Sequence, residues 1–437
     1  MDVVLFSIIL FGSLIVTLML GVPVAFSMST IALLLGFFFW GGGSSFFGFI
    51  SAMFNGMQGT IYLAIPMYIL MAAILRYSNL ADDMYDCMYK WFGRLRGGLA
   101  VGSVVICALF AAMVGLTSVA TATLGSTALP SMEKRGYDQK FAAGIIMGGA
   151  CIGIIIPPSV TMLIYSAVTE TSPGQMFIAG VIPGLVIAVI LIIYSIIYAY
   201  KNPTKAPAIS KEESATWKEK MTSLRGIILP VIIIVAVIAS ILTGFATPTE
   251  AGAVGVVGSL ICAGIKKALS KDNMKKMLTM TTNLSGSIFY IIIASVAYAR
   301  ITSVSGLGQT VANWVASSNL NFYVVLAFIC LFFGFIGMFM DAGAALFMTG
   351  PIIVPLLHAM GFNMLVFGLV FVLLVCIGSL SPPFGICLFV MKGVAPQLSM
   401  NTIYRASIPF IVMYALFIVL FLAVPQLVTW LPGLMMG

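Results

Sequence analysis

The sequence predicts an all-α polytopic membrane protein made of two inverted structural repeats. Each repeat holds a re-entrant helical hairpin and a discontinuous transmembrane helix. Three observations lead there. First, the 437-residue chain is 61% hydrophobic and only 8% charged, a balance that leaves too little polar surface to face water. Its apolar runs have about the 20-residue length of a bilayer-crossing helix, whereas a β-barrel would alternate in short segments. Second, the chain aligns with itself at an offset of 225 residues: Pro157-Pro158 falls on Pro382-Pro383, Pro23 on Pro248, Gly125 on Gly350, Pro130 on Pro355, Gly136 on Gly361 and Gly153 on Gly378. Third, 20 of the 21 Lys and Arg residues lie in segments 76–96, 134–140, 201–225 and 266–276 or at Lys392 and Arg405, leaving Arg300 alone. That is the positive-inside pattern.

The same placement accounts for the net charge of +8 by the bilayer and its anionic head groups, without a nucleic-acid partner. With the basic segments on the cytoplasmic side, the elements follow in order. Residues 3–20 lack a basic n-region and a small-residue cleavage site, so they read as a retained inward helix rather than a signal peptide. Residues 24–39 return outward, 41–58 form an uncharged outside loop, and 61–75 run inward to Arg76. Segment 77–96 is a cytoplasmic amphipathic arm.

Residues 97–135 are long enough to span, yet basic residues flank both ends and the middle reads G-L-T-S-V-A-T-A-T (115–123). A hairpin of two half-depth helices with a polar tip reconciles these features, since irregular backbone at depth needs protein or a water-filled cavity around it. Residues 139–170 cross outward but break at G-I-I-I-P-P-S (153–159). Neither proline donates a backbone hydrogen bond, and each pushes its predecessor out of the helical region. Residues 176–200 return to a cytoplasmic linker, 201–225, which separates a first repeat (1–200) from a second (226–437).

Five spans invert the second copy. Residues 227–242 go out, 251–265 come in, and 266–276 form a basic connector. Residues 284–299 go out to an uncharged arm, 302–318. A hairpin over 321–360 then opens outside, with its tip at 334–343. Residues 363–395 are the second broken span, interrupted at 378–385, and 403–424 end the chain outside. The hairpins and broken spans form the expected core; scaffold helices lie within 1–76, 176–200, 226–300 and 400–424. Helices broken at matching places expose backbone groups near the midplane, the construction of secondary transporters.

Across nearly the whole chain the sequence resembles the large membrane subunit (DctM-type permease) of TRAP, or tripartite ATP-independent periplasmic, transporters. The resemblance rests on G-V-P-V-A-F at 21–26, R-G-Y-D at 135–138, G-I-I-I-P-P-S at 153–159, T-P-T-E-A-G-A at 247–253 and S-P-P-F-G-I-C-L-F-V at 381–390. It implies sodium-driven uptake of an organic acid, such as a C4-dicarboxylate or sialic acid, in a bacterial inner membrane. It also implies a periplasmic substrate-binding protein, a small four-helix membrane subunit as partner, and elevator movement of a transport domain. No cofactor is implied beyond sodium as coupling ion.

Sodium is a hard cation suited to carbonyl, hydroxyl and carboxylate oxygens. Candidate ligands for ion and substrate are Gly115, Thr117, Ser118, Thr121, Gly153, Pro157 and Ser159 in the first repeat. Gly337, Asp341, Gly378, Ser379, Ser381 and Pro382 are their counterparts in the second. Asp341, Ser118 and Ser381 are the expected sodium ligands; the bland alternative is that Pro and Gly only kink packed helices. A carboxylate at membrane depth is unfavourable without a partner or cation, although at a wetted tip Asp341 is merely a cap. Glu250 reads as a helix-start carboxylate or a contact to a partner subunit. Arg300 either attracts an anionic substrate or the binding protein, or complements the end of its helix. His358 reads as a helix-end residue and the seven cysteines as core. A stand-alone ion-coupled carboxylate symporter is the rival within transport. An enzyme is disfavoured because no nucleophile–base grouping appears, and a channel fits two closing hairpins less well.

Overall fold

The computed structural model describes residues 3–78, 80–209, 215–318, 321–340 and 342–434. Among them every regular element is helical. The first repeat runs α1 (Val3–Met19), α2 (Val24–Phe39), α3 (Ser44–Gly56), α4 (Ala64–Arg76), α5 (Leu80–Phe92), α6 (Gly98–Val114), α7 (Thr117–Lys134), α8 (Gln139–Ala150), α9 (Val160–Thr169) and α10 (Pro173–Lys201). A short α11 (Trp217–Ser223) leads into α12 (Arg225–Leu242). Then come α13 (Pro248–Ile265), α14 (Lys271–Val304), α15 (Leu307–Ser317), α16 (Phe322–Ile336), α17 (Ala342–Ala359), α18 (Met364–Leu380), α19 (Ile386–Val394), α20 (Met400–Ala423) and α21 (Gln426–Gly433). Among the described residues six helices are long and apolar enough to cross a membrane, or seven if the bent pair α3–α4 counts as one.

Shifted by 225 residues, α7 falls on α17, α9 on α19, and the starts of α8 and α18 coincide. The caps repeat too: Asp138 accepts from Phe141 N at 2.9 Å, and Asn363 accepts from Leu365 N at 2.9 Å and Val366 N at 3.2 Å. Each cap satisfies amides that a helix start leaves open. Just before them, Gly136 and Gly361 turn the chain at φ +78° and +67°, which only glycine does without strain.

Packing pairs the repeats crosswise. α7 lies on α19, and α17 on α9. The aligned glycines mark these crossings. A Cβ on Gly125 would sit 2.8 Å from Val394 Cγ2, and one on Gly350 would sit 2.6 Å from Val168 Cγ1. Small residues let helices approach where no hydrophobic force drives association, as in a bilayer.

Four expectations need correction. Residues 41–58 are not an irregular loop; they hold α3, which meets the Thr60–Arg76 segment at a 63° bend. Phe49 is buried against Gly36 and Gly56 lies on Val296, while Phe47, Ile50 and Phe54 are exposed, so most of this uncharged helix presents an apolar outer face. Residues 271–276 of the connector and the span 284–299 belong to one helix, α14, of 34 residues, since nothing between Lys271 and Ser285 interrupts helical hydrogen bonding. The hairpin helices are longer than half-depth: α6 and α7 have 17 and 18 residues, or about 25–27 Å at 1.5 Å per residue. Finally, α21 follows α20 directly and packs on α10.

The start of the linker is docked on the first hairpin's base. Asp138 N donates to Lys205 O at 2.8 Å, Gly97 N to Ala206 O at 3.2 Å, and Ile209 N to Gly93 O at 3.0 Å. The motif at 247–253 also gains a physical role. Thr247 and Glu250 form a capping box at the start of α13, Gly252 lies on Met67, and Tyr68 Oη donates to Pro248 O at 2.7 Å. Glu250 is therefore a helix-start carboxylate, as one of its two readings holds.

Candidate ion and substrate site at the helix breaks

α8 ends in a 3-10 turn, Cys151–Ile154, followed by the non-helical Pro157-Pro158. Ser159 restarts the chain as N-cap of α9; its hydroxyl donates to Ile154 O at 2.7 Å and accepts from Met162 N at 3.4 Å. α18 ends at Leu380, and Ser381 donates to Ile377 O at 2.7 Å before Pro382-Pro383. Gly385 then opens α19. A Cβ there would lie 2.5 Å from Ser379 O, so the turn admits only glycine.

Each hairpin tip seats on its own repeat's break. Gly115 turns the first tip at φ +64°, and a Cβ on it would meet Pro158 O at 3.3 Å and Val160 N at 3.4 Å. At the second tip, a Cβ on Gly378 would lie 2.5 Å from Gly337 C and 2.6 Å from Gly337 O. The C-termini of α6, α8, α16 and α18 thus bring carbonyls to the breaks, while α7, α9 and α19 start there and bring amides. One end favours cations and the other anions.

The two breaks also meet each other. Cys151 Sγ is 3.7 Å from Ser379 Oγ, and Cys376 Sγ donates to Cys151 O at 3.5 Å. Thr121 and Ser379 flank the Cys387 thiol. Thr121 is fully buried, and apart from the neighbouring Cys387 thiol its hydroxyl has no hydrogen-bond partner among the described residues. A buried oxygen so poorly paired is unfavourable unless something binds it, which fits a hard cation among carbonyls.

The sequence-derived candidates are distributed as follows. Thr117, Thr121, Ser159, Ser379 and Ser381 are buried hydroxyls at the breaks or on the hairpin helix facing them. Ser118 is half-buried on α7, and Gly153 lies in the buried 3-10 turn. Pro157 lines a small apolar cavity together with Phe177, Ile178 and Val237. Pro382 is half-buried, with Pro383 and Phe384 exposed beyond it. Asp341 lies outside the described residues. Arg300 is exposed near the end of α14, and among the described residues it has no ion-pair partner.

Sequence reasoning did not place Cys376, Cys387 and Gly385 at the site, and it read Cys151 only as a departure from the family pattern. The signal existed for two of them, because Cys151 falls on Cys376 at the repeat offset.

Apolar spans with two tip-on-break contacts define a membrane transport protein of the broken-helix class. Two solved structures share the fold: the YdaH transporter of Alcanivorax borkumensis (TM-score 0.63, 10% identity, 94% of this chain and 96% of that one) and MtrF of Neisseria gonorrhoeae (TM-score 0.62, 13% identity, 89% and 85%). The family described as "Tripartite ATP-independent periplasmic transporter, DctM component" matches residues 11–427. The chain belongs to that family of large permease proteins. It is 31% identical to the C4-dicarboxylate TRAP transporter large permease protein DctM of Vibrio cholerae, over 100% of this chain and 99% of that one. It is 29% identical to the ectoine TRAP transporter large permease protein TeaC of Halomonas elongata, over 98% and 99%. It is also 29% identical to the sialic acid TRAP transporter large permease protein SiaM of Vibrio cholerae, over 95% and 96%. The family, its bacterial members and the apolar spans agree with a multi-pass protein of the inner membrane.

Proposed function

We propose that this chain imports an organic acid across the bacterial inner membrane, driven by sodium. It works with a small four-helix membrane subunit and a periplasmic binding protein that delivers the substrate. The observation that carries this reading is the seating of each hairpin tip on its own repeat's helix break, with the Thr121 hydroxyl buried beside the Cys387 thiol near them. Sodium held by carbonyls, Thr121 and neighbouring hydroxyls would draw the tips onto the breaks. The amide-bearing starts of α7, α9 and α19 would then face the substrate carboxylate.

The two repeats lie inverted in the membrane, and the moving body comprises α6–α9 and α16–α19. We place α20 with that body, although the sequence reading places it in the scaffold. It lies on α18 and α8, and Tyr414 Oη donates to Gly148 O at 2.8 Å. α10 joins it through α6 and α9.

The test is uptake of labelled carboxylates into proteoliposomes holding this chain, with and without the small subunit and binding protein, under a sodium gradient. Uptake is expected only with all three components and sodium. Uptake by the chain alone would establish the stand-alone symporter, and uptake indifferent to sodium would refute the coupling.

A further inference from the structure

α7 has two polar faces. Thr117 and Thr121 face the breaks, while Thr123, Ser126 and Thr127 line a separate cavity of about 320 Å³, bordered also by Val394 of α19. The far wall is Arg76, at the end of α4, and Asp82 of the α5 arm.

The charges in this cavity are not balanced pairwise. The Asp82 carboxylate accepts from Thr127 Oγ1 at 3.0 Å. Arg76 is half-buried; its guanidinium meets only Met280 Sδ at 3.8 Å and the Tyr77 ring at 5.5 Å. Among the described residues no carboxylate lies within ion-pair distance of it. The Thr123 hydroxyl is buried and unpartnered, and Ser126 donates to Thr123 O at 2.8 Å. An unpaired guanidinium presents a planar fork of donors matched to carboxylate geometry. The volume suits a small organic molecule, for which pockets start near 300 Å³, and far exceeds what a lone halide fills.

We propose that this cavity is a second binding site for the transported organic anion, on the side of the basic loops, with Arg76 as its carboxylate ligand. It rests on the transport reading above and adds to it the point at which substrate leaves. One wall is the hairpin and the other the arm, so the site changes shape whenever the hairpin moves. An anion released from the tips meets Arg76 before reaching solvent. Asp82, on the same wall, keeps the site from holding the anion tightly.

The test uses the complex of this chain with its small subunit, carrying Ser126→Cys. The native cysteines are buried apart from half-buried Cys330, and the chain without Ser126→Cys gives the background. Anionic and cationic methanethiosulfonates are applied from the side of the basic loops. The anionic reagent is expected to be favoured about fivefold by the nearby charge. That preference should vanish in Arg76→Gln, persist in Arg76→Lys and shrink at high salt. Succinate, sialic acid and ectoine are then tested for protection, and at least one should slow the anionic reagent unless Arg76 is Gln. A charge preference that Arg76→Gln leaves intact overturns the proposal, as does protection by none of the three. Should Arg76→Gln fail to fold, the Arg76→Lys and salt arms still decide. Protection without any sodium-driven uptake would instead sink the transport reading and leave the anion site standing.

Discussion

Gly378 and Thr121 show how single residues set the site. A methyl on Gly378 collides with backbone, not with a flexible side chain, so the tip at Gly337 has to withdraw. Gly378→Ala is therefore expected to abolish most uptake while the protein still enters the membrane. Gly334→Ala, whose Cβ would find only Leu374 Cδ2 at 4.0 Å, should retain uptake; equal activity in both variants would contradict the seating. Among the described residues the Thr121 hydroxyl has only the Cys387 thiol beside it, so Thr121→Val should change thermal stability little. If its oxygen binds sodium, the half-saturating sodium concentration should rise about tenfold, the equivalent of roughly 1.4 kcal/mol. An unchanged sodium dependence would return Thr121 to packing. Both residues were legible from polar and glycine positions inside apolar runs. Gly385 was not, because its constraint is a carbonyl six residues earlier that approaches only once the turn forms.

At the scale of elements, helix existence followed from hydrophobic runs, and helix limits followed from caps and breakers. Asp138 and Asn363 stop ambiguity at the two broken helices, whereas α14 outran its expected start because its basic first turns are themselves good helix formers. α3 was misread because absence of charge marks an outside loop and an apolar helix alike. α20 carries the clearest element-level prediction. Tyr414→Phe removes one buried interhelical hydrogen bond and should lower stability by about 0.6 kcal/mol, typical for such bonds in membranes. Gly148→Ala places a methyl into the Phe410 ring, so it should destabilise far more. Thermal unfolding in detergent reads both; similar midpoints would mean α20 is only loosely held.

For the whole molecule, the arm α5 is tied both ways. Asp83 pairs with Lys266 at the end of α13, while the adjacent Asp82 reaches across to Thr127 of the hairpin. If the hairpins move against the scaffold, the second tie breaks in each cycle. Oxidising an Asp82→Cys/Thr127→Cys pair to a disulfide should stop uptake, and reductant should restore it. Full uptake with the disulfide closed would exclude relative movement at this contact.

By itself the sequence determined the membrane class, the duplication and the two broken helices. Composition, matched prolines and charge placement are properties of the chain that hold in any conformation. It also determined the family, since the motifs lie in local order. Only the tertiary structure decided which surfaces meet: tips on breaks, α7 on α19 and α17 on α9, Cys151 beside Ser379, and Arg76 opposite the back of α7. These contacts join residues as far apart in sequence as Gly125 and Val394, and at such separations packing geometry rather than local pattern selects the partner.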